Sequence, residues 1–451
     1  MPIADDVIDL SVPFHEGMPT DDLGPKIWER LGYAYSRQLY QHTQSRAGRV
    51  LLTTDHCGTH VDGPLRFNPK GSPIEQVPFE RFLLPARQLD LRFVGRGGVI
   101  GRAELEQAGA GDLAPAEAAV LWTGHDLYLH DPDYFWHRPQ LSMEGADFLV
   151  AKGVGIVAAD FPGIGRPSDD RYEVKRRLHA GGAMTLEQLC ALGQLRDRTW
   201  HLYCAPLRIR GGAGSIVRAC ALVGWRAKDL VDLTLDTYKG MPSLGANPTY
   251  WTRANHELTR HFYKGELSYQ SHSLFLSEHA GTHLDPPYHF DEFGPAIDDL
   301  PLASLLVRAR VLDLTHKKPL EPIGPEDLQA ALERAGTTIE PGDGAVVWTG
   351  HDRNYYTRPD YGDYRPFITA EGAAWIVKRR PAIAVTDLVG LDEPVDLTTP
   401  VHNALLHGGL CMLQVTTNLG RLVEGGWWIG AFPIKIVRGT GAPLRAFAAR
   451  A

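Results

Sequence analysis

The sequence predicts an α/β chain made of two tandem copies of one domain, strand-rich with outer helices. Three observations predict it: a length of 451 residues, an internal repeat offset by 223–227 residues, and short β-branched runs bounded by glycine and proline. A single domain usually holds on the order of 100–200 residues, so this length suits two. With 43% hydrophobic and 22% charged residues, each half can bury a core of its own.

The repeat runs through the whole chain. Asp9-Leu10-Ser11 with Gly17-Met18-Pro19 recurs as Asp232-Leu233-Thr234 with Gly240-Met241-Pro242, and His56–Pro64 recurs as His279–Pro287, all 223 residues apart. Trp122-Thr-Gly-His-Asp126 returns as Trp348–Asp352 at 226, and Gly181-Gly182…Leu192-Gly193…Leu195 returns as Gly408-Gly409…Leu419-Gly420…Leu422 at 227. A period this long excludes a solenoid. It predicts domains 1–224 and 225–451, with the boundary near Gly224–Lys228.

Within each copy, the runs Arg49–Thr53, Ala119–Trp122 and Gly155–Ala159, and then Ser273–Leu276, Ala345–Trp348 and Ile383–Val385, read as strands between turn residues. Arg102–Ala108, Pro325–Ala335, Ser142–Lys152 and Thr369–Lys378 read as helices, each following a turn or capping residue. With 47 Gly and 32 Pro, loops are plentiful.

A net charge of −8 argues against a nucleic-acid partner, which demands a basic face. The longest apolar runs are strand-sized, so no membrane association is expected. The opening Met1–Asp6 is acidic where a secretory leader would be basic and then apolar. Five cysteines with no CxxC pair read as reduced thiols, and a cytoplasmic location is the expectation.

The sharpest feature is H-x-G-T-H-x-D-x-P, present twice as His56, His60, Asp62 and as His279, His283, Asp285. Two imidazoles and a carboxylate within seven residues form a natural set of divalent-metal ligands. The competing reading is histidines hydrogen-bonded in a turn. Retention of His, His and Asp in both copies, while the residues between them vary, favours ligands. Gly-Thr between the histidines and the following proline point to a strand-to-turn segment rather than a helix.

These motifs, with D-L-[ST]…G-M-P and the closing His…Gly-Gly…[Glu/Gln]…Leu-Gly, resemble the cyclase family, which includes kynurenine formamidase and isatin hydrolase. The resemblance implies a swivelling β/β/α fold in each copy and hydrolysis of small amides, lactams or lactones with a divalent metal, Mn or Zn. It also implies a homo-oligomeric habit with sites near the subunit interface, so that two fused copies would form an internal pseudo-dimer whose N-terminal half walls the C-terminal pocket. Carried onto this chain, the family pattern makes His279, His283, Asp285 and Gln414 the metal ligands and His289 and His402 the catalytic residues. His289 would move protons and His402 would position substrate or stabilise the oxyanion. The plainer reading of Gln414 is a hydrogen-bonding residue on a helix at a core edge.

The N-terminal copy keeps His56, His60, Asp62 and Glu187 as a possible second metal site, but has Arg66 and Lys175 where His289 and His402 stand. Arginine exchanges no proton near neutrality, so the C-terminal site is the expected catalytic one. His125 and His351 of the Trp-Thr-Gly-His-Asp repeat read as turn residues. Trp251, Phe262, Tyr263, Tyr269 and Tyr288 fall where the family's pocket walls would lie, which suits a flat ring substrate, although core packing is an equal reading. Two further classes stay open: a metal-dependent lyase or cyclase acting on a small carbonyl compound, and a metal-bound small-molecule binder without turnover.

Overall fold

The computed structural model describes residues 3–20, 23–167, 169, 171–243 and 246–451, with the side chains of 354 and 355 left out. Met1 and Pro2 of the acidic opening lie outside the described residues. Two compact units emerge. The first comprises Met1–Lys26, Thr53–Trp225 and Tyr250–Leu274; the second comprises Ile27–Leu52, Arg226–Thr249 and Phe275–Ala451. The units therefore differ from the contiguous halves 1–224 and 225–451. Each is completed by a segment of about 25 residues from the other half of the sequence. Local periodicity identifies strands but not the partners they join, so the exchange is invisible in the linear pattern.

The first unit is built on a nine-stranded sheet in the spatial order Asp6–Asp9, Cys220–Val223, Trp200–Tyr203, Leu83–Asp90, Ala118–Trp122, Ile156–Ala159, Met184–Glu187, His60–Asp62, Gly214–Ile216. The four strands from Leu83–Asp90 to Met184–Glu187 run parallel, and antiparallel strands flank them. Parallel neighbours need crossovers, and helices Arg102–Gln107, Met143–Lys152 and Glu173–Ala180 lie in those connections. Ala118–Trp122 and Ile156–Ala159 are buried along their whole length, as strands covered on both faces must be. Leu121, Val157, Leu105, Leu149 and Leu178 join sheet and helices in one core.

The second unit repeats the plan: Asp229–Asp232, Phe447–Arg450, Trp428–Gly430, Leu306–Asp313, Gly344–Trp348, Ile383–Thr386, Cys411–Gln414, His283–Asp285, Ala442–Pro443. Its crossover helices are Pro325–Ala335, Ala370–Lys378 and Pro400–His407, and its core includes Val347, Leu328, Ile376 and Leu405. The expected α/β class, with tandem strand-rich copies and outer helices, is the observed one. Gln414 ends a strand rather than lying on a helix, because Cys411–Gln414 pairs in parallel with Ile383–Thr386 and antiparallel with His283–Asp285. No helix among the described residues is long and apolar enough to cross a membrane.

Candidate active site

In the second unit the motif folds as a tight turn leading into the strand His283–Asp285, so all three side chains reach one place. Gly281 makes that turn with φ of 63°, a left-handed conformation that costs glycine little. Its carbonyl accepts a 2.8 Å hydrogen bond from His283 Nδ1, which leaves Nε2 3.3 Å from Asp285 Oδ1. His279 Nδ1 lies 2.7 Å from the same oxygen. Close approach of the next strand requires Gly441, since a Cβ there would stand 2.6 Å from His279 Cε1. Against the opposing pull of burial, His283 and His279 hold the Asp285 carboxyl well below the usual carboxylate range. One ligand atom from each of His279, His283 and Asp285 falls within 4.8 Å of the others, so this donor set fits a divalent cation.

The remaining expected residues converge on the same place. Gln414 pairs with His283 across the sheet, and its amide nitrogen lies 2.5 Å from Asp285 Oδ2 and 3.3 Å from His402 Nε2. His402 comes from helix Pro400–His407, and its Nδ1 is bound by Asp392 Oδ2. Asp392 also accepts the Val401 amide at 2.6 Å, which anchors the start of that helix. His289 ends a short turn of helix, Pro287–His289, with its ring 4.1 Å from that of His279. Burial, and next the neighbouring His279, hold His289 well below the ordinary imidazole range, so the ring is neutral at neutral pH.

A cavity of about 270 Å³ takes in all six residues. Part of its wall comes from the segment Ile27–Leu52 of this unit: Arg30, Leu31, Arg46, Ala47 and Gly48. His289 Nδ1 donates to the Ala47 carbonyl at 2.5 Å, and the Ala47 amide donates back to the His289 carbonyl at 2.9 Å. A wall from the N-terminal half is what the resemblance implies, although it names none of these residues; Asp392 is not part of that expectation. Asp392 had a signal: the copy with His402 carries Asp392, while the copy with Lys175 carries Gly165 at the same offset of 227.

The first unit assembles His56, His60, Asp62 and Glu187 by the same strands, and His60 pairs in register with Glu187. Its electrostatics differ. Lys175 Nζ sits 2.9 Å from Asp62 Oδ2 and 2.6 Å from Glu187 Oε1, and these carboxylates raise its pKa against the pull of burial. His56 Nδ1 lies 2.6 Å from Asp62 Oδ1, yet both atoms and His56 Nε2 are buried without a hydrogen-bond partner. Orphaned nitrogens beside a carboxylate oxygen also suit a cation, so this set too has the chemistry of a ligand cluster. Arg66 is buried and occupies the place that His289 holds in the other unit.

The Trp-Thr-Gly-His-Asp repeats form strand ends that run into short helices, His125–Tyr128 and His351–Tyr355, rather than the plain turns expected. His125 and His351 are each buried, 2.8 Å from the carbonyls of Tyr134 and Tyr361, away from both ligand clusters. The aromatic expectation is corrected: none of the five side chains lines the second unit's cavity. Trp251, Phe262, Tyr263 and Tyr269 belong to the segment Tyr250–Leu274, which completes the first unit. They are therefore not walls of the second unit's cavity, and Tyr288, although in the second unit, does not line it either.

The family model "Putative cyclase" matches this chain twice, over residues 8–166 and 231–393. The kynurenine formamidase of Salinibacter ruber is 35% identical over 193 residues, covering 40% of this chain and 80% of that protein. The kynurenine formamidase of Geobacillus thermodenitrificans is 30% identical over 173 residues, covering 38% and 77%. The isatin hydrolase of Roseibium aggregatum is 28% identical over 192 residues, covering 39% and 73%. Among solved structures, isatin hydrolase A from Ralstonia solanacearum aligns with a TM-score of 0.44 and 22% identity, over 49% of this chain and 92% of that one.

Proposed function

The chain belongs to the cyclase family, and from that premise we propose that it is a metal-dependent hydrolase of a small amide, lactam or lactone. Its working site is the one in the second unit. The observation that carries this reading is the convergence of His279, His283, Asp285, His289, His402 and Gln414 on one cavity. The similarity to kynurenine formamidases and an isatin hydrolase supports an aryl formamide or a cyclic amide as the substrate class.

His279, His283 and Asp285 would hold the cation, with Gln414 joining through its amide oxygen after a half-turn of the side chain. A divalent ion, Mn²⁺ or Zn²⁺, supplies Lewis acidity and brings the pKa of water from about 15.7 towards 7. The protein's own groups do the rest. His289 donates through Nδ1 to Ala47, so Nε2 carries the lone pair that accepts a proton from the attacking water. The same nitrogen then returns that proton to the departing amine or alkoxide. His402, its ring held by the Asp392 carboxylate at Nδ1, is placed to hydrogen-bond substrate or the developing oxyanion through Nε2. A cavity of about 270 Å³ restricts the substrate to a small molecule.

In the first unit, Arg66 and Lys175 leave no group able to exchange protons at those two positions near neutral pH. That unit is proposed to be non-catalytic.

The test combines metal analysis and turnover. Inductively coupled plasma mass spectrometry on the native protein, His60→Ala and His283→Ala should show stoichiometric Mn or Zn lost in His283→Ala together with activity. A further loss in His60→Ala would make the first cluster a metal site as well. Turnover of an N-formyl arylamine or an isatin-type lactam in H₂¹⁸O should place ¹⁸O in the acid product. Turnover without that label would instead indicate elimination or cyclisation, and no metal uptake at all would overturn the mechanism.

A further inference from the structure

The first unit holds a second cavity, of about 480 Å³, over the His56, His60 and Glu187 cluster. Its walls carry Arg66, Arg138, Arg166, Lys175 and Arg253 against two acids, Asp169 and Glu187. Asp55 and Asp62 lie buried behind it. The acids are largely engaged elsewhere. Glu187 and Asp62 pair with Lys175, Asp55 binds His272 Nδ1 at 3.1 Å, and Asp169 accepts the amides of Arg171 and Glu173.

Arg66 is the exception. It is only 7% exposed, and among the described residues its guanidinium is held by rings rather than by a carboxylate: Tyr269 at 5.0 Å, Phe67 at 5.4 Å and Tyr172 at 5.7 Å. Nη1 donates to the Gln270 carbonyl at 2.7 Å, while Nε is buried with no hydrogen-bond partner. A buried, unpaired guanidinium on a cavity wall is costly unless an anion completes it. Arginine presents a planar fork matched to a carboxylate. Trp136, 67% exposed, and Tyr172 offer flat apolar surface on the same cavity.

We propose that the first unit's cavity is a binding site for a small organic carboxylate with a flat apolar body. The carboxylate pairs with Arg66, and the body lies against Trp136 and Tyr172. The flat surfaces of Trp136 and Tyr172 beside Arg66 favour an organic carboxylate over inorganic phosphate, which has no apolar body to lay against them. The site is separate from the proposed hydrolytic centre and does not depend on it.

The experiment is isothermal titration calorimetry of benzoate into the full-length, chelator-treated protein, with benzyl alcohol and inorganic phosphate titrated in parallel. Benzoate should bind the native protein and His283→Ala alike, and about tenfold or more weakly to Arg66→Gln, the loss expected for a charge-assisted pair. Arg166→Gln, at an exposed side chain whose loss spares the fold, should weaken binding about two- to fivefold by removing one wall charge. An unchanged thermal transition in each variant keeps the comparison valid. The proposal is overturned if benzoate does not bind, if Arg66→Gln and Arg166→Gln both bind it normally, if His283→Ala loses it, or if benzyl alcohol or phosphate binds as well.

Discussion

His289 Nδ1 donates to the carbonyl of Ala47, a residue 242 positions earlier in the chain. The bond fixes the tautomer of the proposed proton carrier, and the strand that follows Ala47 adds Arg49, whose guanidinium binds the buried Glu278 at 2.6 Å. A fragment of residues 226–451 lacks both partners. It should therefore show kcat at least about 10²-fold below the full chain even where it is monodisperse, since orientation alone is worth that much. Steady-state kinetics on the purified fragment check this, and full activity would show the segment to be dispensable.

Replacing His289 by Ala should lower kcat about 10²- to 10⁴-fold, the span usual for loss of general acid–base assistance, with metal content unchanged. Asp392→Asn should lower kcat about tenfold or more, because His402 loses the carboxylate that orients its ring. The pH–rate profile separates the two variants. Asp392→Asn should shift its limbs, whereas a simple packing defect would scale the whole curve down.

Gly441→Ala places a Cβ 2.6 Å from His279 Cε1 and should release metal and activity together. The matching Gly214→Ala pushes instead on the Val61 carbonyl, at 2.5 Å, and on His56, at 2.6 Å, and should spare turnover. Paired metal analysis and kinetics on the two variants identify which cluster performs the reaction.

Two buried carboxyls set a pH dependence of stability. Asp160 accepts hydrogen bonds from Thr123 and Gly124, and Asp387 from Thr349 and His351; burial pushes both up to about 7. A carboxyl raised in the folded state holds a proton that the unfolded chain has already lost above its own value of about 3.9. Its contribution is full below that value and disappears as pH climbs through 7. Between pH 4 and 7 the melting temperature should therefore lose several degrees from these groups. Asp160→Asn and Asp387→Asn should each flatten that slope in calorimetric scans, and an unaltered slope would refute the assignment.

The repeat, the strand list and four helices were legible because each rests on local chemistry. Ser142 and Thr369 cap their helices by accepting the amides of Gly145 and Gly372, a standard start signal. Helices Glu173–Ala180 and Pro400–His407, which carry Lys175 and His402, escaped notice. They are eight residues long, and they begin after Tyr172 and Thr399, left-handed at φ of 52° and 44° and making no side-chain cap. The six candidate residues of the second unit were legible as a set through the motif and its resemblance. Asp392 and Ala47 were not, since one acts through another side chain and the other offers only its backbone.

The membership of Ile27–Leu52 in the second unit sets an order of assembly during synthesis. The first unit lacks Tyr250–Leu274 until those residues leave the ribosome, and the segment Ile27–Leu52 must wait for partners as late as Val437, whose carbonyl accepts from Arg49. Contacts that span most of the chain delay folding, because loop closure precedes the interactions that reward it. At about 5–20 residues per second, the early segment spends on the order of 20–80 seconds without its final neighbours. Chaperone demand in the cell should therefore be set by the nascent chain, and slowing translation should not by itself relieve it.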